Sequence, residues 1–326
     1  MKHRMLWKCA VLAVAVCTAG GALAQKATFK AADVHPNGYP TVEAVKSLGT
    51  KLEAETKGRL KVRMYAGGVL GDEKSTLEQT QAGAIQFQRM SLGALGPVVP
   101  EVNVFNMPFV FRDVTHMRKV IDGPIGDEIL KKITDSQARL VALAFMDSGS
   151  RSVYSNRAVR TPGDLRGLKI RMMGNPLFVE TMNAMGGSGV SMGSGEVYSA
   201  MQTGLIDGAE NNEPTYWTHN HYSVVRVYSR TEHLILPEIL VFSKAAWNKL
   251  SPDDQQRIRR LAREAQFEAR TLWDERVRKD TESLKAKGIS FVDDVDKKAF
   301  IAATEPVREK YGRPYADLIR RIQDVN

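Results

Sequence analysis

Three arginines stand at or near the ends of segments patterned as strands: Arg89 in FQRMS (87–91), Arg151 in GSRSVY (149–154) and Arg171 in LKIRMM (168–173). A guanidinium is a planar fork of donors that can hold a carboxylate through two parallel hydrogen bonds, so arginines converging on one point suit an organic acid. His35, Glu73, Ser91 and Asn211 occupy comparable positions at other strand ends or helix starts, and Met173 and Asn175 follow Arg171 directly. Amide and hydroxyl neighbours of this kind suit a carboxylate that also carries hydroxyls. Each arginine taken singly is equally well explained as a surface ion pair, because arginines are mostly exposed. Their shared placement is what points to a site.

A second chemistry is also present in outline. His219 and His221 in WTHNHY (217–222) alternate as on one face of a strand and, with Glu210 or His233, could hold a metal through imidazole nitrogens. The chain has no H-E-x-x-H and no Walker loop. The glycine-rich stretch GGSGVSMGSGE (186–196) lacks the Lys-Ser/Thr pair and the dinucleotide spacing, which leaves it a turn or packing role. The alternative function is therefore an exported metal-dependent hydrolase; the polar or capping reading of the two histidines competes with it.

The elements that must position these residues follow from hydrophobic period. ATFKAADV (27–34), RLKVRMYAGG (59–68) and IQFQRMSLG (85–93) read as strands, separated by helices over 41–58 and 71–84. That β-α-β-α-β order implies a largely parallel sheet with helical crossovers, whose ligands bind beyond the carboxyl ends of the strands. RLVALAFMD (139–147) is continuously apolar, as a strand buried on both faces would be. Further on, 166–172 reads as strand, 176–186 as helix, 196–212 as helix, turn and strand, and 232–247 as sheet. SPDDQQRI… (251–288) is a long helix with Ser251 as N-cap, Pro252 in the first turn and Gly288 at the C-terminal end. Ile258, Leu261, Ala265, Ala269 and Leu272 form its apolar stripe, and its length suits a span across two domains.

Residues 1–24 have the pattern of a cleaved export signal: Lys2, Arg4 and Lys8, then the apolar CAVLAVAV (9–16), then ALA at 22–24. The apolar run is too short for a membrane span, which needs about 20 residues. Both cysteines, Cys9 and Cys17, lie in that segment; Val16 argues against lipidation of Cys17. Without the leader, 43 basic and 37 acidic residues remain, a net charge of +6 with no polybasic run, which gives no support for nucleic-acid binding. Roughly 300 residues exceed one comfortable core, so two domains are expected.

Five stretches in order carry a family resemblance: GGVLGDEKSTLEQTQAGAI (67–85), MPFVFRDVTHMRKVIDGPIGDEI (107–129), GSRSVYSNRAVRTPGDLRGLKIRMM (149–173), EVYSAMQTGLIDGAENN (196–212) and LSPDDQQRI (250–258). The chain resembles the DctP-type solute-binding proteins of TRAP (tripartite ATP-independent periplasmic) transporters. The resemblance implies an α/β, two-lobed periplasmic binding protein fold, with mixed sheets flanked by helices, crossed interdomain strands and a long spanning helix. Lobe I would comprise 25–148 and about 237–276, and lobe II 149–236 and about 277–326. The resemblance further implies a carboxylate clamp at Arg171, a second ligand-facing arginine at Arg151 and a completing amide at Asn211, with His35 and Glu73 reading the rest of the ligand. Where the family often carries Pro-x-Pro-Met before the EVY helix, this chain has GVSMGSGEVY. The contexts HPNGYP, FQRMS and AENNEPTYW look most like binders of hexuronates such as glucuronate or galacturonate; another hydroxy- or dicarboxylic acid is the alternative within the class. Expected partners are the small acid and the TRAP membrane permease subunits, with no cofactor, metal or catalysis, for a periplasmic monomer.

Overall fold

The structure, a computed structural model, describes residues 26–326; the leader therefore lies outside the described residues. Among the described residues eleven strands form two sheets. The first sheet contains β1 (Ala27–Ala32), β2 (Leu60–Tyr65), β3 (Phe87–Ser91), β4 (Leu140–Met146) and β10 (Glu238–Ser243), in the order β2-β1-β3-β10-β4. The second contains β5 (Ser150–Ser155), β6 (Lys169–Met172), β7 (Ser188–Ser191), β8 (Gly208–Asn211), β9 (Val227–Ile235) and β11 (Ser290–Val292), in the order β11-β9-β5-β8-β6-β7. Each sheet is the centre of one lobe.

Both sheets are mixed. β1 pairs in parallel with β2 and β3, as helical crossovers demand, whereas β10 enters antiparallel between β3 and β4. Every residue of β4 and β10 is buried, which accounts for the unbroken apolar run of β4 and the apolar Ile239–Phe242 of β10. The chain crosses between sheets at β4 to β5 and again at β9 to β10. At these crossings Glu238 pairs with Met146 and Ile235 with Ser150, so the two crossing segments lie side by side. Pro237 interrupts the segment expected as continuous sheet over 232–247, and its last four residues, Lys244–Trp247, are helical.

Gly149 sits in the first crossing with φ +60, and a Cβ there would lie 3.0 Å from Trp273 Nε1 and 3.2 Å from its Cζ2. Only glycine suits that conformation at that distance. Gly149→Ala is expected to destabilise the protein by about 1–3 kcal/mol, read as a lower urea midpoint; an unchanged midpoint would show the crossing to be pliable.

The helix Pro252–Ala286 runs across both lobes. Ser251 Oγ accepts from the Asp254 N–H at 3.2 Å, and Arg59 grips the Asp254 carboxylate at 2.6 and 2.9 Å. Ile258, Leu261, Ala265 and Ala269 pack on the first sheet, while Leu284 joins a tyrosine-rich core on the second with Tyr154, Tyr216 and Tyr228. Leu272 is only half-buried; Trp273 continues the stripe instead, edge-on to Tyr39. The last helix, Ala316–Gln323, returns to the first lobe's helices, where the carbonyl of Ile322 accepts from His116 Nε2 and that of Gln323 from Arg112.

Several elements differ from expectation. Arg151 is the second residue of a separate strand, β5, after the crossing from β4. The glycine-rich segment contributes strand β7 beside β6, and its glycines serve close packing: a Cβ on Gly189 would lie 2.9 Å from Val179 O, and one on Gly186 2.4 Å from Pro162 O. His219 and His221 are not on a strand but follow the short helix Glu213–Thr218, through a left-handed Asn220.

Candidate functional site

The carboxyl ends of β1, β3, β6 and β8 and the crossing segments face a cavity of about 920 Å³ between the lobes, within the size range of small-molecule sites. All nine residues singled out from the sequence stand on its wall. From the first lobe come His35, Glu73, Arg89 and Ser91; from the second come Arg151, Arg171, Met173, Asn175 and Asn211. What the structure separates is their roles, because most of their polar atoms are already engaged.

Arg89 is the centre of a buried ion cluster. Its Nε donates to Asp33 Oδ2 at 2.9 Å, its Nη2 to Asp33 Oδ1, and its Nη1 to Glu238 at 2.6 Å and Glu73 at 3.2 Å. Burial alone would lower its pKa, but the surrounding carboxylates reverse this and raise it well above the ordinary value. Glu73 Oε1 also accepts from the Ser91 N–H at 3.0 Å. Burial, opposed by Arg89 and reinforced by Glu238, pushes the Glu73 carboxyl up to about 7. Among the described residues Glu73 Oε2 has no hydrogen-bond partner. The Ser91 hydroxyl caps the turn at Gly93.

Arg151 is similarly committed. It forms a two-pronged pair with the fully buried Glu210, both contacts at 2.7 Å, and donates from Nη1 to Asn211 Oδ1 at 2.9 Å. Asn211 Oδ1 also accepts from the Asn212 N–H. Two donors on one oxygen fix the amide's orientation, so its NH2 group is the free edge.

Arg171 differs from both. It is 5% exposed, yet among the described residues it makes one hydrogen bond, from Nε to the carbonyl of Met192 at 2.8 Å, and no ion pair. Burial pulls its pKa down; Glu210 opposes that and Arg151 adds to it. Its two terminal nitrogens are left as a fork on the cavity wall that Asn211 also lines. The carbonyl that orients it belongs to the segment where this chain departs from the Pro-x-Pro-Met pattern, so backbone rather than proline forms that wall.

Met173 is an apolar wall close to Gly93. Asn175 lies on the cavity, but its amide donates to Gly93 O at 2.9 Å and Asn103 Oδ1 at 3.0 Å, and its oxygen caps the helix Pro176–Ala184. It ties the lobes together behind the cavity. Two more contacts cross between lobes: Tyr39 Oη with Thr215 Oγ1 at 3.1 Å, and His35 Nδ1 with His219 Nε2 at 3.2 Å, the His35 ring stacked on Tyr39.

The metal reading finds no ligand set: among the described residues no group of three or more His, Cys, Asp or Glu could hold an ion. His219 Nε2 is engaged by His35, His221 Nδ1 by Tyr154, and Glu210 by Arg151. Burial, with nearby Arg171, lowers His219 to about 4; burial lowers His221 to about 3 and His233 to about 4. An unfolded chain takes up these protons below about 6.5 and the folded one does not, so stability must fall with pH across that window. Glu73, raised in the folded state, opposes this by one proton between its ordinary value and about 7. The net loss is on the order of 3 kcal/mol between pH 7 and pH 5, measured by urea titration at both pH values; equal midpoints would mean these imidazoles are solvated. His233→Gln should reduce the slope.

Asp33 and Glu238 are site residues that the sequence reading missed. Glu238, a lone acid in the apolar run LILPEILVF, carried a signal, since an isolated buried charge needs a partner.

Two sheets joined by crossed strands and a spanning helix, closing on a cavity with one uncommitted buried guanidinium, define a two-lobed solute-binding protein. The family model for DctP, bacterial extracellular solute-binding protein family 7, matches residues 31–313, and the chain belongs to that family of TRAP solute-binding proteins. It is 57% identical to a TRAP periplasmic solute-binding protein of Pseudomonas putida F1 solved with bound D-glucuronate, with 92% of this chain and 98% of that one covered and a TM-score of 0.91. It is 44% identical to one from Bradyrhizobium sp. BTAi1 in complex with D-galacturonate, covering 91% and 100%, with a TM-score of 0.89. A Citrobacter koseri protein allows its two forms to be compared. With bound D-glucuronate it matches at TM-score 0.91 and 48% identity, covering 92% of this chain and 100% of that one. In its open apo form it matches at 0.81 and 47%, covering 91% and 98%. The lobes here are therefore arranged more like the ligand-bound form. No helix among the described residues is long and apolar enough to cross a membrane.

Proposed function

We propose that this protein captures a hexuronate, D-glucuronate or D-galacturonate, between its lobes and delivers it to TRAP permease subunits for uptake. The observation that carries the proposal is the Arg171 fork, buried and without a carboxylate among the described residues, on the same cavity wall as the free amide edge of Asn211. The ligand carboxylate completes that clamp, and the ring hydroxyls meet His35, Glu73 and the first-lobe wall. Arg151 holds Asn211 in register, and Arg89 holds Glu73. Relatives that share this fold at 44–57% identity were solved with these two sugar acids. The protein works as a periplasmic monomer after removal of residues 1–24, without catalysis, cofactor or metal. Lobe I comprises 25–148 and about 237–276, lobe II 149–236 and about 277–326 with its last helix packed back on lobe I, and closure is a hinge motion that the ligand drives by binding the closed form better.

Thermal-shift screening of the chain without its leader against uronates, C4-dicarboxylates, keto acids and aromatic acids tests this. Stabilisation by D-glucuronate or D-galacturonate above the other acids is expected; no response to any carboxylate would refute the proposal.

A further inference from the structure

The cavity has opposite electrostatic character at its two ends. On the second-lobe side two guanidiniums, Arg151 and Arg171, face one carboxylate, Glu210. On the first-lobe side one guanidinium, Arg89, is surrounded by three carboxylates, Asp33, Glu73 and Glu238. Asp33 is fully engaged, by Arg89, the Thr41 hydroxyl and the His35 N–H. Glu73 and Glu238 are the two of these acids that reach the cavity wall, where Asp72, Glu78, Glu180 and Glu196 also stand. Among the buried groups, the first-lobe end thus offers acceptors and excess negative charge and the second-lobe end donors and excess positive charge; of the other second-lobe acids on the wall, Glu180 is paired with Lys310 and Glu196 is exposed to solvent.

We propose that this polarity makes the protein select monocarboxylate sugar acids against the corresponding dicarboxylates, with Glu73 as the residue that rejects a second carboxylate. The inference rests on the hexuronate reading and adds the basis of its selectivity. A hexuronate and its aldarate differ at one terminal carbon, which in the aldarate is a second carboxylate. With one carboxylate on Arg171, the far end of the ligand meets Glu73. A hydroxyl there can donate to the unpartnered Oε2, whereas a carboxylate can only accept and brings like charge against like. Arg89 cannot relieve the clash, because its donors are already shared among three acids. The histidines on that side do not supply a cation either: His35 and His219 are bonded to each other, and burial together with Arg89 and Arg171 keeps them neutral.

Glu73→Gln is the informative variant. The Gln Oε1 can keep the contacts from Ser91 N–H and Arg89, while its NH2 group presents donors where the carboxylate presented an acceptor. Calorimetric titration at pH 7.5 with D-glucuronate, D-galacturonate, D-gluconate, D-glucarate and galactarate gives the readout. The wild-type protein should bind its preferred monocarboxylate at least about 100-fold more tightly than either aldarate. In Glu73→Gln that ratio should fall about tenfold or more. Glu73 titrates beside Arg89, Glu238 and Asp33 on neighbouring strands, Asp72 and Lys74 on its own segment, and Arg171 across the cavity. The wild-type ratio should therefore also widen from pH 6 to pH 8 as Glu73 ionises, a readout that needs no variant. Aldarate binding within about threefold of uronate binding, or a ratio unmoved by both the substitution and pH, would overturn the inference. Tight binding of gluconate with no uronate binding would instead refute the hexuronate reading and leave the selectivity rule standing.

Discussion

Arg171→Met is expected to reduce uronate affinity by about 100-fold or more, and at the same time to make the ligand-free protein more compact. Both effects come from the same atoms. Truncating one member of a buried hydrogen-bonded charge pair costs about 2–5 kcal/mol, which at about 1.4 kcal/mol per tenfold is a factor of tens to thousands. The clamp loses the guanidinium that, among the described residues, has no carboxylate of its own. The second effect follows from what that guanidinium does without ligand. In the closed arrangement it is 5% exposed with a single hydrogen bond to a carbonyl, so closure strips it of water with little return. A ligand carboxylate supplies the missing partner and makes closure favourable. Methionine, of similar length but uncharged, removes the penalty, and the ligand-free equilibrium should shift towards the closed form. Titration calorimetry reads the first effect, and the radius of gyration from small-angle scattering reads the second. Undiminished binding would show that the carboxylate sits elsewhere. An unaltered ligand-free radius would separate Arg171 from the control of closure. Arg171→Lys should bind with intermediate affinity, since the ammonium keeps the charge but not the fork.

Arg89→Met should do something quite different to the same kind of residue. The substitution leaves Asp33, Glu238 and Glu73 facing one another in the first lobe with no cation between them. Breaking a buried pair in this way costs about 3–5 kcal/mol, which in a chain of this size is a melting temperature lower by roughly 10 °C. The sign of its pH dependence is diagnostic. Orphaned carboxylates are held protonated in the folded state, so their folded pKa values rise above the unfolded ones and the variant recovers stability as pH falls. The wild type, dominated by its neutral histidines, loses stability over the same range. The deficit between variant and wild type should therefore shrink between pH 7.5 and pH 5.5. A constant deficit would mean that water reaches the cluster and screens it. Uronate binding to the variant, measured below its melting point, should weaken less than in Arg171→Met, because Arg89 acts on the ligand through Glu73.

These two arginines look alike in the sequence. FQRMS and KIRM each place one in a short strand, at its middle and near its carboxyl end, and Arg151 near the start of SRSVYS makes a third. Local pattern told where they are, because strand ends in a sheet wound with helical crossovers converge on one crevice. That is why all nine singled-out residues reach a single cavity wall. Local pattern failed where the polypeptide uses weak or ambiguous signals. β7 is SGVS, which reads as a turn; its glycines are there because a Cβ on Gly189 would meet Val179 O at 2.9 Å. The two histidines of WTHNHY alternate as on a strand, yet they follow a helix capped by Asn212, and their nitrogens go to His35 and Tyr154. Asn175 sits beside the clamp as its position after Arg171 suggests, but its amide is consumed by Gly93 and Asn103 from the other lobe.

By itself the sequence determined the alternation of strands and helices, the spanning helix with its Ser251–Pro252 start, and the strand ends on which polar residues would gather. Those properties depend on periods of two and 3.6 residues and on capping, all of which are local. Which arginine is free for a ligand was decided only by the tertiary structure. Arg89 meets Asp33 and Glu238, 56 and 149 residues away, and Arg151 meets Glu210, 59 residues away. Among the described residues no carboxylate pairs with Arg171. A buried charge is functional or structural according to the partner it has, and partners that distant in the chain are brought together by the packing of the two sheets, which no local pattern encodes.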